Sequence, residues 1–149
     1  SIAAMKTAID THGVGSGGSR NIGGTNHYHV SLENQLADLH GKEAALLFTS
    51  GYTANEGSLT VLAAMPKDTI VFSDSKNHAS IIDGLRRSGA KKYIFRNNNV
   101  AHLEELLAAA PANDPKLIVA DSIYSMSGNV APLAEIADLI DKNGATTFI

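Results

Sequence analysis

The chain has 149 residues, of which 44% are hydrophobic and 18% charged, enough for one globular domain with a core. Its formal net charge of -3 leaves no excess of positive charge, so we expect neither nucleic acid nor a membrane surface as a partner. It contains no cysteine, which excludes disulfides and thiolate metal sites, and no apolar run reaches membrane-spanning length. The sequence begins inside a helical pattern and ends in a strand-like run, so we expect an interior piece of a longer protein.

Helices and strands are predicted to alternate along the chain. A helix at about 2–11 leads into a glycine-rich loop at 13–25, and a second helix follows at about 28–40. Short apolar runs then predict strands at 44–48, 69–72, 93–95, 117–120 and 146–149. The helices between them are predicted at about 52–65, 78–88, 100–109 and 132–143. Apolar strands separated by helices predict an α/β fold, a mostly parallel sheet with helices on both faces, in a single partial domain over 1–149.

The glycine-rich loop contains a G-x-G-x-x-G spacing that starts at Gly13. A dinucleotide site needs a strand before this loop and an acidic ribose partner after a second strand, and the sequence has neither. A nucleotide-binding oxidoreductase domain is therefore the weaker alternative. The loop ends in Ser19, Arg20 and Asn21, whose side chains can donate hydrogen bonds. Contact with a ligand and a tightly turned structural loop both remain open.

Polar residues follow the predicted strands, where ligands collect in parallel α/β sheets. Gly51 and Tyr52 start a helix, and free backbone N–H groups there favour a phosphate. An ordinary turn capped by Ser50 explains the same pattern. His78 could stack on a planar ring or transfer a proton, or it could simply start a helix beside a capping Asn77.

Ser125 follows the strand at 117–120 and is either a ligand-contacting hydroxyl or a loop serine that faces water. Together with His78 and Asp121 it could be written as a hydrolase triad. The G-x-S-x-G elbow of α/β hydrolases is missing, which argues against that chemistry.

Four segments in this order resemble the α-oxoamine synthases, enzymes of the aspartate-aminotransferase fold (fold type I) that use pyridoxal 5'-phosphate (PLP). The segments are GSGGSRNIGGT at 15–25, LADLHGKEAALLF at 36–48, SDSKNHAS at 73–80 and SIYSM at 122–126. The resemblance covers essentially the whole chain and implies part of the large PLP-binding domain. It implies a homodimeric acyltransferase that condenses glycine with succinyl-CoA to 5-aminolevulinate, CoA and CO2. Sister enzymes that make 8-amino-7-oxononanoate or 2-amino-3-ketobutyrate are the alternatives.

The resemblance also implies a role for each matching residue. Gly51 and Tyr52 would give backbone amides to the PLP phosphate, and His78 would stack on the pyridine ring. Ser125 would be a second contact in the cofactor pocket. Substrate contacts are implied for Ser19, Asn21, Ile22, Ser73 and Lys92.

Among these contacts, the loop residues 19–22 would hold the succinyl end, and Lys92 would meet the CoA phosphates. Ser19 stands where the family usually carries threonine and keeps the hydroxyl. The Schiff-base lysine and the aspartate that pairs with the pyridinium nitrogen would follow Ile149, so we expect the chain alone to be inactive. The expected location is the cytoplasm of a bacterium, or the mitochondrial matrix if the source is eukaryotic.

Overall fold

Two units make up the structure, a computed structural model that describes residues 1–149: Ser1–Leu47 and Phe48–Ile149. The first unit contains helices α1 (Ile2–His12) and α2 (His27–Leu39), and its glycine-rich loop closes in a short π-helical turn at Arg20–Gly24. Both helices confirm the prediction. That residues 1–149 form a single partial domain stays a prediction.

The second unit contains a parallel sheet of four strands in the order β2-β1-β3-β4. Its strands are β1 (Ile70–Asp74), β2 (Lys91–Phe95), β3 (Lys116–Val119) and β4 (Thr146–Phe148). Its helices are α3 (Gly51–Leu62), α4 (Ala79–Ser88), α5 (Val100–Ala109) and α6 (Leu133–Asn143). The predicted α/β alternation and parallel sheet are confirmed for these elements. None of the helices is long and apolar enough to cross a membrane.

Helices cover both faces of the sheet, as predicted, because successive side chains of a strand point to opposite faces. Phe72 of β1 belongs to a buried cluster with residues of α5 and α6, namely Leu103, Leu107, Ile136 and Leu139. The next residue towards the amino end, Val71, packs in a second cluster with residues of α3 and α4, namely Leu59, Ile81 and Leu85. All five residues of β1 are buried, so this central strand is fixed between two helical layers.

The predicted strand at 44–48 is wrong. Leu46 is 67% exposed and Phe48 is 38% exposed, so the segment is not buried either. Side chains hold its backbone in place of a neighbouring strand: Leu47 N–H donates to Glu33 Oε1 at 2.8 Å. A strand exists only where a second strand accepts and donates its backbone hydrogen bonds. None of the four strands pairs with this segment.

Candidate functional site

The first turn of α3 leaves two backbone donors free at the carboxyl edge of the sheet. Ser50 is the N-cap, as the sequence suggested: its Oγ accepts from Thr53 N–H at 3.1 Å, and its carbonyl accepts from Ala54 N–H at 3.0 Å. The N–H groups of Gly51 and Tyr52 donate to no protein atom. A Cβ built on Gly51 meets nothing within 4 Å, so a ligand can approach the helix end closely. The positive end of the helix dipole makes this an anion-binding geometry.

The exposed His78 directly precedes α4 and is its N-cap, the position for which the sequence suggested Asn77. Its Nδ1 accepts from Ser80 N–H at 3.2 Å and lies 2.7 Å from Ser80 Oγ. The imidazole meets the Tyr52 ring edge to face, with centroids 6.2 Å apart and planes at 77°. The starts of α3 and α4 are therefore neighbours, and the free amides lie beside an accessible imidazole.

The phenol of Tyr52 is tied to α4 as well. Its hydroxyl donates to Asp83 Oδ2, and this hydrogen bond raises the pKa of the phenol. The ring is thereby held in place while the backbone N–H of the same residue remains free.

Buried Asn77 joins the ends of two strands to the start of α4. Its Nδ2 donates to Ser73 Oγ at 2.9 Å and to the Val119 carbonyl at 2.8 Å. Its Oδ1 accepts from Asp121 N–H at 3.0 Å, and Asp121 Oδ2 accepts from His78 N–H at 2.8 Å. These bonds tie β1, β3 and the loop after β3 to the residues directly before α4, and so they fix where the His78 backbone lies.

The same contacts exclude the hydrolase triad. Asp121 accepts from the backbone N–H of His78 and not from its ring. The ring nitrogen Nδ1 faces Ser80. Ser125 is exposed and makes no hydrogen bond to His78.

A second buried polar group, Asp74, lies at the end of β1 and accepts hydrogen bonds from the loops that follow β1 and β2. It is 2% exposed and accepts from Lys76 N–H at 2.8 Å and from Asn98 N–H at 3.0 Å. Asn97 Nδ2 donates to both of its carboxylate oxygens, at 3.1 and 3.2 Å. These bonds satisfy the buried carboxylate and fix the turns after β1 and β2.

Tyr124 anchors the loop that carries Ser125. It is 2% exposed, its N–H donates to the Asn129 carbonyl at 2.9 Å, and its own carbonyl accepts from Gly128 N–H at 2.8 Å. The phenol oxygen has no hydrogen-bond partner. Burial, and after it the nearby Asp74, raises the pKa of this phenol. The anchored turn leaves the Ser125 side chain exposed.

In the first unit, the glycine-rich loop closes in a turn organised by one carbonyl. The Ser19 carbonyl accepts from the N–H groups of Ile22, Gly23 and Gly24 at 3.0, 3.1 and 2.8 Å. A Cβ on Gly24 would lie 2.1 Å from the Gly18 carbonyl oxygen, so only glycine fits there. Single π-helical turns are rare and are frequent at functional sites. This one presents Ile22, which is 89% exposed, to solvent.

Arg20, which the sequence offered as a ligand donor, is engaged by the protein itself. Its Nη1 and Nη2 donate to the two carboxylate oxygens of Glu33 at 2.5 and 3.0 Å. Glu33 also accepts from Leu47 N–H. The hydrogen bonds from Arg20 and then from Leu47 lower the pKa of Glu33 to about 2. The ion pair fastens the π-helical turn to α2 and leaves exposed Ser19 and Asn21 as its free polar groups.

Two further candidates are Ser73 and Lys92. Ser73 is buried within β1 and accepts from Asn77. Lys92 is exposed near the beginning of β2, opposite Val71, away from the carboxyl ends of the strands. The structure thus brings Gly51, Tyr52 and His78 together, links buried Ser73 to them through Asn77, and leaves Lys92 near the opposite end of its strand. The substrate contacts of Ser73 and Lys92 stay predictions.

Two residues that sequence reasoning missed lie behind His78. Ser80 is fully buried, and Asn55 of α3 donates from Nδ2 to Ser80 Oγ at 3.0 Å. Ser80 had a signal, because it closes the polar segment at 73–80 and falls on the helix face that is buried. Asn55 had none, since a lone polar residue within a helix is ordinarily solvated.

Residues 1–149 match the model of the aminotransferase class I and II family, and the chain belongs to that family. It is 57% identical, over 98% of its length, to 5-aminolevulinate synthase of Rhizobium meliloti (strain 1021). The chain spans 36% of the length of that relative.

Solved structures show the same fold. Serine palmitoyltransferase from S. paucimobilis, solved with bound PLP–myriocin, is 40% identical with a TM-score of 0.93, over 98% of this chain and 37% of that one. An 8-amino-7-oxononanoate synthase from Francisella tularensis is 25% identical with a TM-score of 0.72, over 92% and 36% of the two chains. The expected partial PLP-dependent transferase fold is confirmed.

Proposed function

We propose that the chain is the part of a 5-aminolevulinate synthase that holds the phosphate and ring of PLP and the acyl group of succinyl-CoA. The observation that carries the proposal is the 57% identity to 5-aminolevulinate synthase, against 40% for serine palmitoyltransferase and 25% for 8-amino-7-oxononanoate synthase. The whole enzyme condenses glycine with succinyl-CoA to 5-aminolevulinate, CoA and CO2, the first step of tetrapyrrole biosynthesis.

The residues at the carboxyl edge fit PLP. The free N–H groups of Gly51 and Tyr52 are suited to its phosphate, and nothing blocks their approach. The exposed imidazole of His78 is available to stack on the pyridine ring, and Ser125 offers a free hydroxyl on an anchored turn. When bound, PLP supplies an electron sink for bond breaking at the α-carbon of the amino acid.

The π-helical turn in the first unit fits the acyl group of succinyl-CoA. Ser19 and Asn21 offer exposed donors for the succinyl carboxylate, and Ile22 offers an apolar surface for its methylene groups. Because Arg20 is paired with Glu33, this turn would contribute neutral donors and its shape to recognition of the succinyl group. Lys92 is exposed and forms no ion pair, which supports the proposal that it meets the CoA phosphates.

A homodimer is part of the same proposal. Helix α1 exposes an apolar stripe of Ile2, Met5 and Ile9, at 71%, 66% and 49% exposure. Residues at this spacing share one helix face, and an exposed apolar face of this kind is suited to contact with a partner subunit in the whole protein.

The test is an assay of the whole protein with glycine and a panel of acyl-CoAs. We expect a PLP absorption band and formation of 5-aminolevulinate with succinyl-CoA as the preferred donor. Preference for an acyl chain without a carboxylate would instead support a sister synthase, and failure to bind PLP would refute the whole proposal.

His78 variants test the proposed PLP site directly. His78→Ala should weaken PLP binding about 2- to 10-fold, because a stacked ring pair contributes about 0.5–1.5 kcal/mol. His78→Phe should retain most of the affinity, since it keeps a stacking ring. Equal losses in the two variants would show that stacking is not what His78 provides.

A further inference from the structure

A chain of hydrogen bonds from α3 ends on the ring of His78. Asn55 Nδ2 lies 3.0 Å from Ser80 Oγ, and Ser80 Oγ lies 2.7 Å from His78 Nδ1. An amide nitrogen can only donate, so Ser80 Oγ accepts from Asn55. The single hydrogen of the Ser80 hydroxyl is then left for His78 Nδ1.

A second donor points at the same ring nitrogen. The backbone N–H of Ser80 lies 3.2 Å from His78 Nδ1, in the N-cap geometry of α4. A ring nitrogen that faces two donors must offer its lone pair, and in a neutral imidazole the hydrogen then lies on Nε2. Ser80 is 0% exposed, so its hydroxyl has no water as an alternative partner.

We propose that Asn55 and Ser80 are positioning residues that hold His78 in the Nε2–H tautomer. Nδ1 is occupied and Nε2 already carries a hydrogen, so neither nitrogen can take up a proton without breaking this arrangement. Of the two roles that the sequence left open, stacking and proton transfer, this geometry argues against His78 accepting a proton from a ligand, because no ring nitrogen has a free lone pair. His78 then presents the hydrogen of Nε2 to the site as a hydrogen-bond donor. The link to PLP rests on the function proposed above, whereas the tautomer does not.

The tautomer can be measured by nitrogen NMR on the whole protein, freed of PLP and labelled in its histidine rings. We expect a pyridine-type signal for Nδ1 of His78 and a pyrrole-type signal for Nε2. Ser80→Ala removes the hydroxyl donor but keeps the backbone donor. Asn55→Asp places an acceptor beside Ser80, which draws the hydroxyl hydrogen away from His78.

Both variants should lower the ratio of the Nε2–H to the Nδ1–H form about 2- to 10-fold, the equilibrium value of one hydrogen bond. Asn143→Asp is the matched control. It removes the amide donor to the Leu139 carbonyl in α6 and should leave the ratio unchanged.

A wild-type spectrum with Nδ1–H as the major form would overturn the proposal, as would two folded variants with an unchanged ratio. If neither variant folds, the wild-type spectrum decides alone. Because the measurement is made without PLP, a protein that shows the expected tautomer but binds no PLP would refute the proposed function and not this inference.

Discussion

Gly84→Ala tests how closely α3 and α4, the two helices that frame the His78 surroundings, approach each other. A Cβ on Gly84 would lie 2.9 Å from the Glu56 carbonyl oxygen, 3.0 Å from Leu59 Cβ and 3.1 Å from the Asn55 carbonyl oxygen. Two of these neighbours are backbone atoms, which cannot rotate away. The helices must therefore separate by a few tenths of an ångström or tolerate the strain.

Two opposing effects decide the sign of this change. Alanine gains about 0.5–1 kcal/mol over glycine within a helix. Overpacking of a tight interior contact costs about 1–3 kcal/mol. The steric cost exceeds the gain in helix propensity, and we expect Gly84→Ala to lower the free energy of unfolding by about 1–2 kcal/mol. Affinity for PLP should fall as well, because the displaced helices carry Tyr52 and His78.

Gly57 in α3 is the matched control. A Cβ there meets only Phe48 Cε1, at 3.6 Å, which is ordinary van der Waals contact. Gly57→Ala should therefore raise the free energy of unfolding by about 0.5–1 kcal/mol. Chemical denaturation of the PLP-free whole protein measures both. If Gly84→Ala proves as stable as the wild type, the helices are not in the tight contact argued above.

Three further changes have expected outcomes. Glu33→Gln should destabilise the protein at neutral pH. The difference from wild type should shrink as pH falls from about 4.5 to about 2, because the hydrogen bonds from Arg20 and then from Leu47 lower the pKa of Glu33 from 4.5 to about 2 in the folded state. A difference that does not vary with pH in unfolding experiments would contradict this. Asn77→Ala should cost about 1–3 kcal/mol by urea denaturation, since it leaves buried partners unpaired, and an unchanged midpoint would show that the bonds are dispensable. Tyr124→Phe should leave stability unchanged or raise it by up to about 1 kcal/mol, because the buried hydroxyl has no partner; a clear loss would mean that the hydroxyl does bond to Asp74.

The sequence predicted the elements of the second unit well because their periodicity is strong. The central strand β1 nevertheless continues two residues beyond the predicted 69–72, through Ser73 and Asp74. Polar residues normally mark a strand end in sequence, but here Asn77 and Asn97 satisfy them within the interior. The failure at 44–48 has the opposite origin. Five apolar residues in a row have the composition of a strand. Local composition does not show whether another strand is available to pair with them, and without such a strand none forms.

At the candidate site, too, some residues that the sequence offered for ligand binding are engaged in hydrogen bonds within the protein. Motif position pointed to the start of α3, where the donors of Gly51 and Tyr52 remain free. It also offered Arg20 as a ligand donor and Asp121 as the carboxylate of a hydrolase triad. The protein uses both internally, on Glu33 and on the His78 backbone.

The bond to His78 spans 43 residues of sequence, and no local pattern contains it. A polar side chain can bind a ligand only if the folded protein does not already use it in an internal hydrogen bond. Those internal bonds join residues that are distant in sequence, so they become visible only in the folded structure. His78 illustrates both sides: its position follows from the sequence, whereas the tautomer of its ring depends on Ser80 and Asn55.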